Sequence, residues 1–250
     1  MNVIEKIKGQ LIVSCQALEH EPLHGAEYMA KMAIAAKAGG AAAIRANGVA
    51  DIKKIKKVTQ LPVIGLIKKN YPGFDIYITP TTKEIKALAK AGCDVIALDA
   101  TNRPQVDGVS LADKVKLIHE FGILALADVS TFDEGVNAEK VGFDLVSTTL
   151  SGYTPYSPQD ETPDYELVGK LSKTLKIPVI AEGRIYTDEH LSKILEQKPY
   201  AVIIGSAITR PQVTTSRFSK IIKEFRLWKK IYHSILNQRC RLMQQVMKHF

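Results

Sequence analysis

Eight short apolar runs recur along the chain, and together they leave few folds open. They are LIVSCQ (11–16), AAAIRAN (41–47), PVIGLIKK (62–69), DVIALDA (94–100), ILALADV (123–129), FDLVSTTL (143–150), PVIAEG (178–183) and AVIIGSA (201–207). Their starts lie roughly 20–35 residues apart, which leaves room for one crossover helix between each pair. Each run has the length and branched apolar content of a strand buried on both faces. Eight strand–helix alternations in one domain predict a closed (β/α)8, or TIM, barrel of the phosphate-binding type. In that fold the C-terminal strand ends carry the chemistry, and Gln16, Arg45, Lys68, Asp128 and Glu182 all fall there.

The intervening segments carry helix punctuation. GAEYMAKMAIAAKAGG (25–40) runs into Gly39-Gly40, a glycine stop. TTKEIKALAKAG (81–92) and TFDEGVNAEKVG (131–142) pair Thr81 with Glu84 and Thr131 with Glu134, the spacing of a capping box, and each closes on glycine. SLADKVKLIHEFG (110–122) closes on Gly122, and TDEHLSKILEQK (187–198) opens with Thr187 and two acids that suit a helix N-terminus. The longest stretch without helix or strand character is SGYTPYSPQDETPD (151–164), expected as a long loop over the strand ends. Its Tyr153 and Tyr156 are placed to wall a sugar pocket or to lie on the surface.

The formal charge of +8 is unevenly distributed. Residues 226–250 hold Arg226, Lys229, Lys230, Arg239, Arg241 and Lys248 with no acid, while the rest carries 28 basic and 26 acidic side chains. The body is therefore nearly neutral, and the overall charge gives no argument for nucleic-acid binding. The expected organisation is one barrel over 1–225 and a basic C-terminal extension over 226–250, helical or disordered. Packing or disorder is preferred for that extension over a membrane or nucleic-acid role. No apolar stretch approaches the ~20 residues needed to cross a bilayer. The N-terminus MNVIEKIKGQ does not read as a signal peptide, so a cytoplasmic protein is expected. Cys15, Cys93 and Cys240 are scattered, with no CxxC pair, and the first two are expected to be packed core.

HEPLH (20–24) fits the spacing H-E-x-x-H, but Pro22 disfavours the helix that zinc ligation requires, so a loop is expected and no metal. In PVIGLIKK, Lys68 shares parity with Ile64 and Leu66 and is the expected inward lysine. AEGR (181–184) and GSAITRP (205–211) follow the seventh and eighth strands. Those two loops form the usual phosphate pocket of such barrels, with Gly183, Arg184, Gly205, Ser206 and Arg210 as the expected contacts.

LIVSCQAL with EPLH, AIRAN, PVIGLIKK with YITPT, VIALDAT, TTLSGYT, VIAEGRI and GSAITRP, in this order over residues 11–218, resemble the N-acetylmannosamine-6-phosphate 2-epimerases of bacterial sialic-acid breakdown. The resemblance implies interconversion of N-acetylmannosamine 6-phosphate and N-acetylglucosamine 6-phosphate, without cofactor or metal, by a homodimer. It places the family's catalytic lysine on Lys68 and its glutamate on Glu182, with its arginine and aspartate on Arg45 and Asp128. The chemistry requires ring opening to the aldehyde, loss of the C2 proton and return of a proton on the other face. Lys68 is the expected acid/base. Glu182 is left to ring opening, to orienting the lysine, or to acting as a second base. Gln16 and Asp128 are assigned to sugar hydroxyls or the acetamido group, and Arg45 to the enolate oxygen. Ser147 stands where the family commonly has glycine, and residues after about Phe225 have no counterpart in the resemblance. The alternatives are another phosphate-binding barrel isomerase or epimerase, or a non-catalytic sugar-phosphate binder. All six histidines lie outside the apolar runs, which argues against a pentose-phosphate epimerase with histidine metal ligands.

Overall fold

The structure is a computed structural model that describes residues 2–247, with side chains through Arg226 and at Trp228, Lys229 and Tyr232. The chain divides into two compact units, one ending at Thr209 and the other beginning at Arg210.

In the first unit, β1 (Leu11–Cys15), β2 (Ala43–Asn47), β3 (Val63–Leu66), β4 (Val95–Asp99), β5 (Leu124–Asp128), β6 (Leu145–Ser147), β7 (Val179–Glu182) and β8 (Ala201–Ile204) form a closed parallel barrel in chain order. The helices are α1 (Val3–Ile7), α2 (Ala26–Ala38), α3 (Val49–Thr59), α4 (Thr82–Ala91), α5 (Leu111–Glu120), α6 (Phe132–Val141), α7 (Tyr165–Thr174), α8 (Asp188–Glu196) and the short α9 (Ser206–Thr209). The (β/α)8 expectation from the apolar runs is met strand for strand.

Strand alternation divides each run between two cores. Ile12, Ala43, Ile64, Leu66, Val95, Ala97, Leu126, Leu145, Ile180, Ala201 and Ile203 form the cluster inside the barrel. Their neighbours of opposite parity along each strand, such as Ile44, Val63, Ile96, Ala125 and Val146, pack outward against helix residues such as Ile52, Ile55, Leu88 and Ile118. Burying each such aliphatic side chain stabilises the fold by roughly 1.5–3 kcal/mol. Ile7 of α1 joins the inner cluster beside the strand starts, so the barrel floor is apolar. The same parity carried two residues further, or four in β1, brings Arg45, Lys68, Asp128, Glu182 and Gln16 to the inward-facing side at the opposite rim.

Both capping boxes form, at Thr81–Glu84 and Thr131–Glu134, and Gly92 and Gly142 end their helices in the left-handed conformation. After α2 it is Gly40, with φ 99°, and not Gly39 that takes the positive φ. At Gly65 in β3, a Cβ would lie 2.1 Å from Cys93 Sγ, so this strand position admits only hydrogen. Cys15 and Cys93 are both buried, as their positions in the runs imply. HEPLH is a loop, in which Glu21 accepts from Leu18 N (2.7 Å) and His24 Nδ1 lies 3.2 Å from Ala17 O.

The second unit is built on α10 (Pro211–Met247), one helix running without a break through residues 225 and 226. Phe218, Ile221, Ile222, Phe225 and Trp228 recur along it at helical spacing, and Trp228 stacks on Tyr232 with ring centroids 5.3 Å apart. Cys240 and most of the basic tail side chains lie outside the described side chains. No described helix is long and apolar enough to cross a membrane.

Candidate active site

The barrel register decides which strand ends meet. Asp99 pairs with Asp128 between β4 and β5, and Asp128 with Ser147 between β5 and β6. Ser147 pairs with Ile180 of β7, so Thr149 and Glu182, each two residues on, come level. Thr148 points the other way and locks the pair of strands: its hydroxyl donates to Glu182 O (2.9 Å) and accepts from Glu182 N (3.1 Å).

Arg45 is the centre of the resulting cluster and is 1 % exposed. Nη2 donates to Asp128 Oδ2 at 2.5 Å, and Nη1 to Asp128 Oδ1 at 2.9 Å, a two-pronged ion pair. Nη1 also reaches Glu182 Oε2 at 2.5 Å and Thr149 Oγ1 at 3.0 Å. Burial works against the guanidinium charge, but Asp128 and then Glu182 hold its pKa above the ordinary arginine value. Its Nε is buried without a partner.

Glu182 sits in a different balance. Burial pushes its carboxyl up, Arg45 opposes this, the Asp128 charge adds to it, and the net direction is upward. The Lys68 charge also acts on Glu182, in the direction of the carboxylate. Lys68 is half-buried; its N–H donates to Asn47 Oδ1 (2.8 Å), and an antiparallel bridge to Ile78 folds the β3–α4 loop back over β3. That loop delivers Tyr77, whose phenol burial pushes up to about 12, with Asp128 and Asp99 adding to the rise.

Gln16 is buried at the end of β1, where Nε2 donates to Ser14 Oγ (2.8 Å) and Oε1 has no partner. Gly183 (φ 116°) and Arg184 (φ 58°) form a left-handed turn after β7. The Arg184 side chain turns to the long loop: Nη1 donates to Pro158 O (3.1 Å) and Asp160 O (2.7 Å), and Nη2 to Ser151 Oγ (3.3 Å). It lies on Gly152, where a Cβ would come within 2.2 Å of Nη1. Tyr156 ties the same loop to the buried Glu134 (2.9 Å). Gly205 comes close to Ser14, and Ser206 opens α9, whose first N–H groups have no helical acceptor. Arg210 belongs to the second unit, where its carbonyl accepts from Val213 N and Thr214 N.

Thus Arg45, Asp128, Glu182 and Lys68 converge, and Gln16 shares their inward parity. Thr149, Ser147 and Tyr77 join this cluster without having been expected as site residues, Ser147 having been noted only as a departure from the family's glycine. Thr149 and Ser147 sit in a run whose inward parity was readable, but threonine and serine in a strand carry no chemical signal of their own. Among the described residues no group of histidine, cysteine, aspartate and glutamate side chains is arranged to hold a metal ion.

Fold and site together define a (β/α)8-barrel protein with an acid–base cluster at the C-terminal strand ends. The family model described as "Putative N-acetylmannosamine-6-phosphate epimerase" matches residues 29–224, and the chain belongs to that family. A relative from Clostridium perfringens with the corresponding 2-epimerase description is 58 % identical over 221 residues, covering 88 % of this chain and all of the relative. One from Caldanaerobacter subterraneus is 55 % identical over 228 residues, covering 90 % of this chain and 96 % of its own. The solved structure of the N-acetylmannosamine-6-phosphate 2-epimerase from Clostridium perfringens superposes with a TM-score of 0.87 at 57 % identity, over 88 % of this chain and 96 % of that one. A thiamine phosphate pyrophosphorylase from Pyrococcus furiosus, at 17 % identity and a TM-score of 0.58, shares the fold alone.

Proposed function

We propose that the protein is an isomerase that epimerises N-acetylmannosamine 6-phosphate and N-acetylglucosamine 6-phosphate at C2. The observation that carries this reading is the half-buried Lys68 facing the buried Arg45–Asp128–Glu182 cluster, in a chain of this family. The two sugars differ only at C2, whose proton becomes acidic once the ring opens to an aldehyde at C1. Lys68 then takes the C2 proton and returns one to the opposite face, and Arg45 stabilises the charge that develops on the C1 oxygen. Glu182, with its raised pKa, is suited to give a proton to the ring oxygen as the C1–O5 bond breaks, while the C1 hydroxyl gives up its proton to water and becomes the aldehyde. Asp128 and Gln16 hold hydroxyls or the acetamido group, and the unpartnered Gln16 Oε1 is the acceptor on offer.

The phosphate is assigned to the loops after β7 and β8, through Gly183, Arg184, Gly205, Ser206 and Arg210. The left-handed turn at Gly183–Arg184 and the open first turn of α9 supply backbone N–H groups of the kind that bind anions. Because the Arg184 guanidinium is engaged with loop carbonyls, its main-chain N–H is the contact assigned here. A homodimer and a cytoplasmic location are part of the same proposal, and the apolar side chains recurring along α10 supply material for an interface. A barrel domain over 1–225 with a basic extension over 226–250, helical or disordered, belongs to the same proposal.

The test is incubation with N-acetylmannosamine 6-phosphate in D2O, followed by NMR. Appearance of the gluco epimer with deuterium at C2 is expected. Wild-type protein that gives neither product nor exchange would refute the activity. Lys68→Ala at full rate would refute the role of Lys68.

A further inference from the structure

The hydroxyl of Thr149 is within hydrogen-bond distance of four polar atoms. They are Asp128 Oδ1 at 2.6 Å, Ser147 Oγ at 2.8 Å, Glu182 Oε2 at 2.9 Å and Arg45 Nη1 at 3.0 Å. A threonine has one hydrogen to give. It can serve Asp128 or Glu182, but not both, and two bare carboxylate and hydroxyl oxygens at such distances repel. A hydrogen carried by one of the two carboxyls gives the close contact between Thr149 and the second carboxyl a donor.

The two carboxyls are not equivalent. Asp128 takes two prongs of the Arg45 guanidinium, at 2.9 and 2.5 Å, whereas Glu182 takes one, from Nη1 at 2.5 Å. It also has the shorter approach to Thr149 and so takes the threonine hydrogen. Ser147, fully buried, can give its hydrogen to Thr149 Oγ1, since its distance to Glu182 Oε2 is 3.4 Å. The contact between Thr149 Oγ1 and Glu182 Oε2 is then left for a hydrogen on Glu182. Resting on the functional reading above, we propose that Thr149 is a positioning residue: it gives its hydrogen to Asp128, accepts that of Glu182, and so presents Glu182 to the substrate as a protonated acid.

The groups facing Glu182 are Arg45 from β2, Lys68 at the end of β3, Asp128 from β5, and Tyr77, which acts on the cluster through Arg45. The two cations, and a hydrogen donated by Thr149, favour the carboxylate, whereas burial and Asp128 favour the acid. Thr149 adds to the side of the acid if it accepts, and to the side of the carboxylate if it donates. Removing its hydroxyl therefore moves the Glu182 titration in opposite directions under the two arrangements.

The experiment is an NMR titration of the full chain labelled with 13C at glutamate side-chain carboxyls, with Glu182 assigned by its loss in Glu182→Gln. Wild-type Glu182 is expected to be protonated well above the ordinary glutamate range. In Thr149→Val its midpoint falls by about one pH unit, the worth of one buried hydrogen bond. Thr149→Ser restores the wild-type value. The high-pH limb of kcat/KM moves down with it in Thr149→Val and back in Thr149→Ser. An upward or absent shift in Thr149→Val overturns the proposal. So does a wild-type Glu182 that stays ionised down to about pH 5, a result that does not depend on any variant folding. The titration uses no substrate. If it behaves as stated while the wild type turns over no sugar phosphate, the positioning stands and the epimerase reading falls.

Discussion

Replacing Arg45 with methionine tests the centre of the site through stability as well as rate. Methionine fills much of the same space, so the change removes the charge and its hydrogen bonds while leaving the stem's packing. Arg45 and Asp128 are 1 % and 0 % exposed, and Arg45 is the cation on both Asp128 and Glu182. Removing one member of a buried ion pair leaves the other charge uncompensated, which costs about 3–5 kcal/mol. For a domain of this size that corresponds to a fall in Tm of roughly 6–20 °C. The loss has a pH signature. In Arg45→Met, Asp128 and Glu182 remain buried without their cation, and the folded pKa of Glu182, already raised, lies further above the unfolded one. Stability linked to such groups is full below the unfolded pKa, about 4, and is lost as pH rises through the folded pKa. The deficit against wild type is therefore larger at pH 8 than at pH 5. Adding Asp128→Asn to the variant recovers part of it, because a neutral amide replaces the stranded charge. The assay is urea unfolding of the four proteins at both pH values. A deficit below about 1 kcal/mol at pH 8, as for a surface pair, or one equal at the two pH values, refutes the account of Arg45 as a buried countercharge.

Gly152→Ala places a methyl carbon where Arg184 Nη1 lies, at a position with φ 85°, so it should detach Arg184 from the long loop. Faster hydrogen exchange over 151–164 and a raised KM with folding retained are expected, and an unchanged loop refutes the clamp. The thiols of Cys15 and Cys93 are both pushed up to about 12 by burial. Neither should react with a thiol reagent at pH 8 in the native protein, and both should react in urea. Peptide mapping reads the two sites separately, and labelling of either before unfolding contradicts their burial.

The barrel was legible because strand burial on both faces leaves a continuous apolar run, and the parity of Ile64 and Leu66 carried on to Lys68 is a local property of one strand. Arg45, Asp128 and Glu182 were visible for the same reason, as charges that end apolar runs. Their mutual distances were not, since these depend on the register of β2, β5, β6 and β7, which no single run encodes. Thr149 escaped notice on that account: it matters only because register sets it level with Glu182. Arg184 was readable as an arginine in a phosphate-type loop. Its turn toward Pro158 and Asp160 depends on a fourteen-residue loop whose path has no periodicity to read.

The charge balance of the cluster gives this register a chemical consequence. Arg45 and Asp128 cancel one another inside the barrel. Lys68 and Glu182 remain, and they can share the site as ammonium and carboxylate or as amine and carboxylic acid. Both arrangements have the same net charge and the same proton count. In water the ionic form wins by the full difference between the lysine and glutamate pKa values, about 6 units. Burial penalises that form and the Asp128 charge opposes it at Glu182, while Arg45, whose Nη1 also reaches Glu182 Oε2 at 2.5 Å, supports the carboxylate; the net direction at Glu182 is toward the acid. A proton moved from Lys68 to Glu182 therefore produces, in one step, the amine that can remove the C2 proton and the acid that can open the ring. The proposed reaction uses the acid first and the amine next. The titration of either residue then belongs to the pair, so Glu182→Gln should alter the pH dependence of proton abstraction by Lys68 as well as ring opening. If C2 exchange in Glu182→Gln keeps the wild-type pH profile at reduced rate, the two groups act independently and the shared proton is excluded.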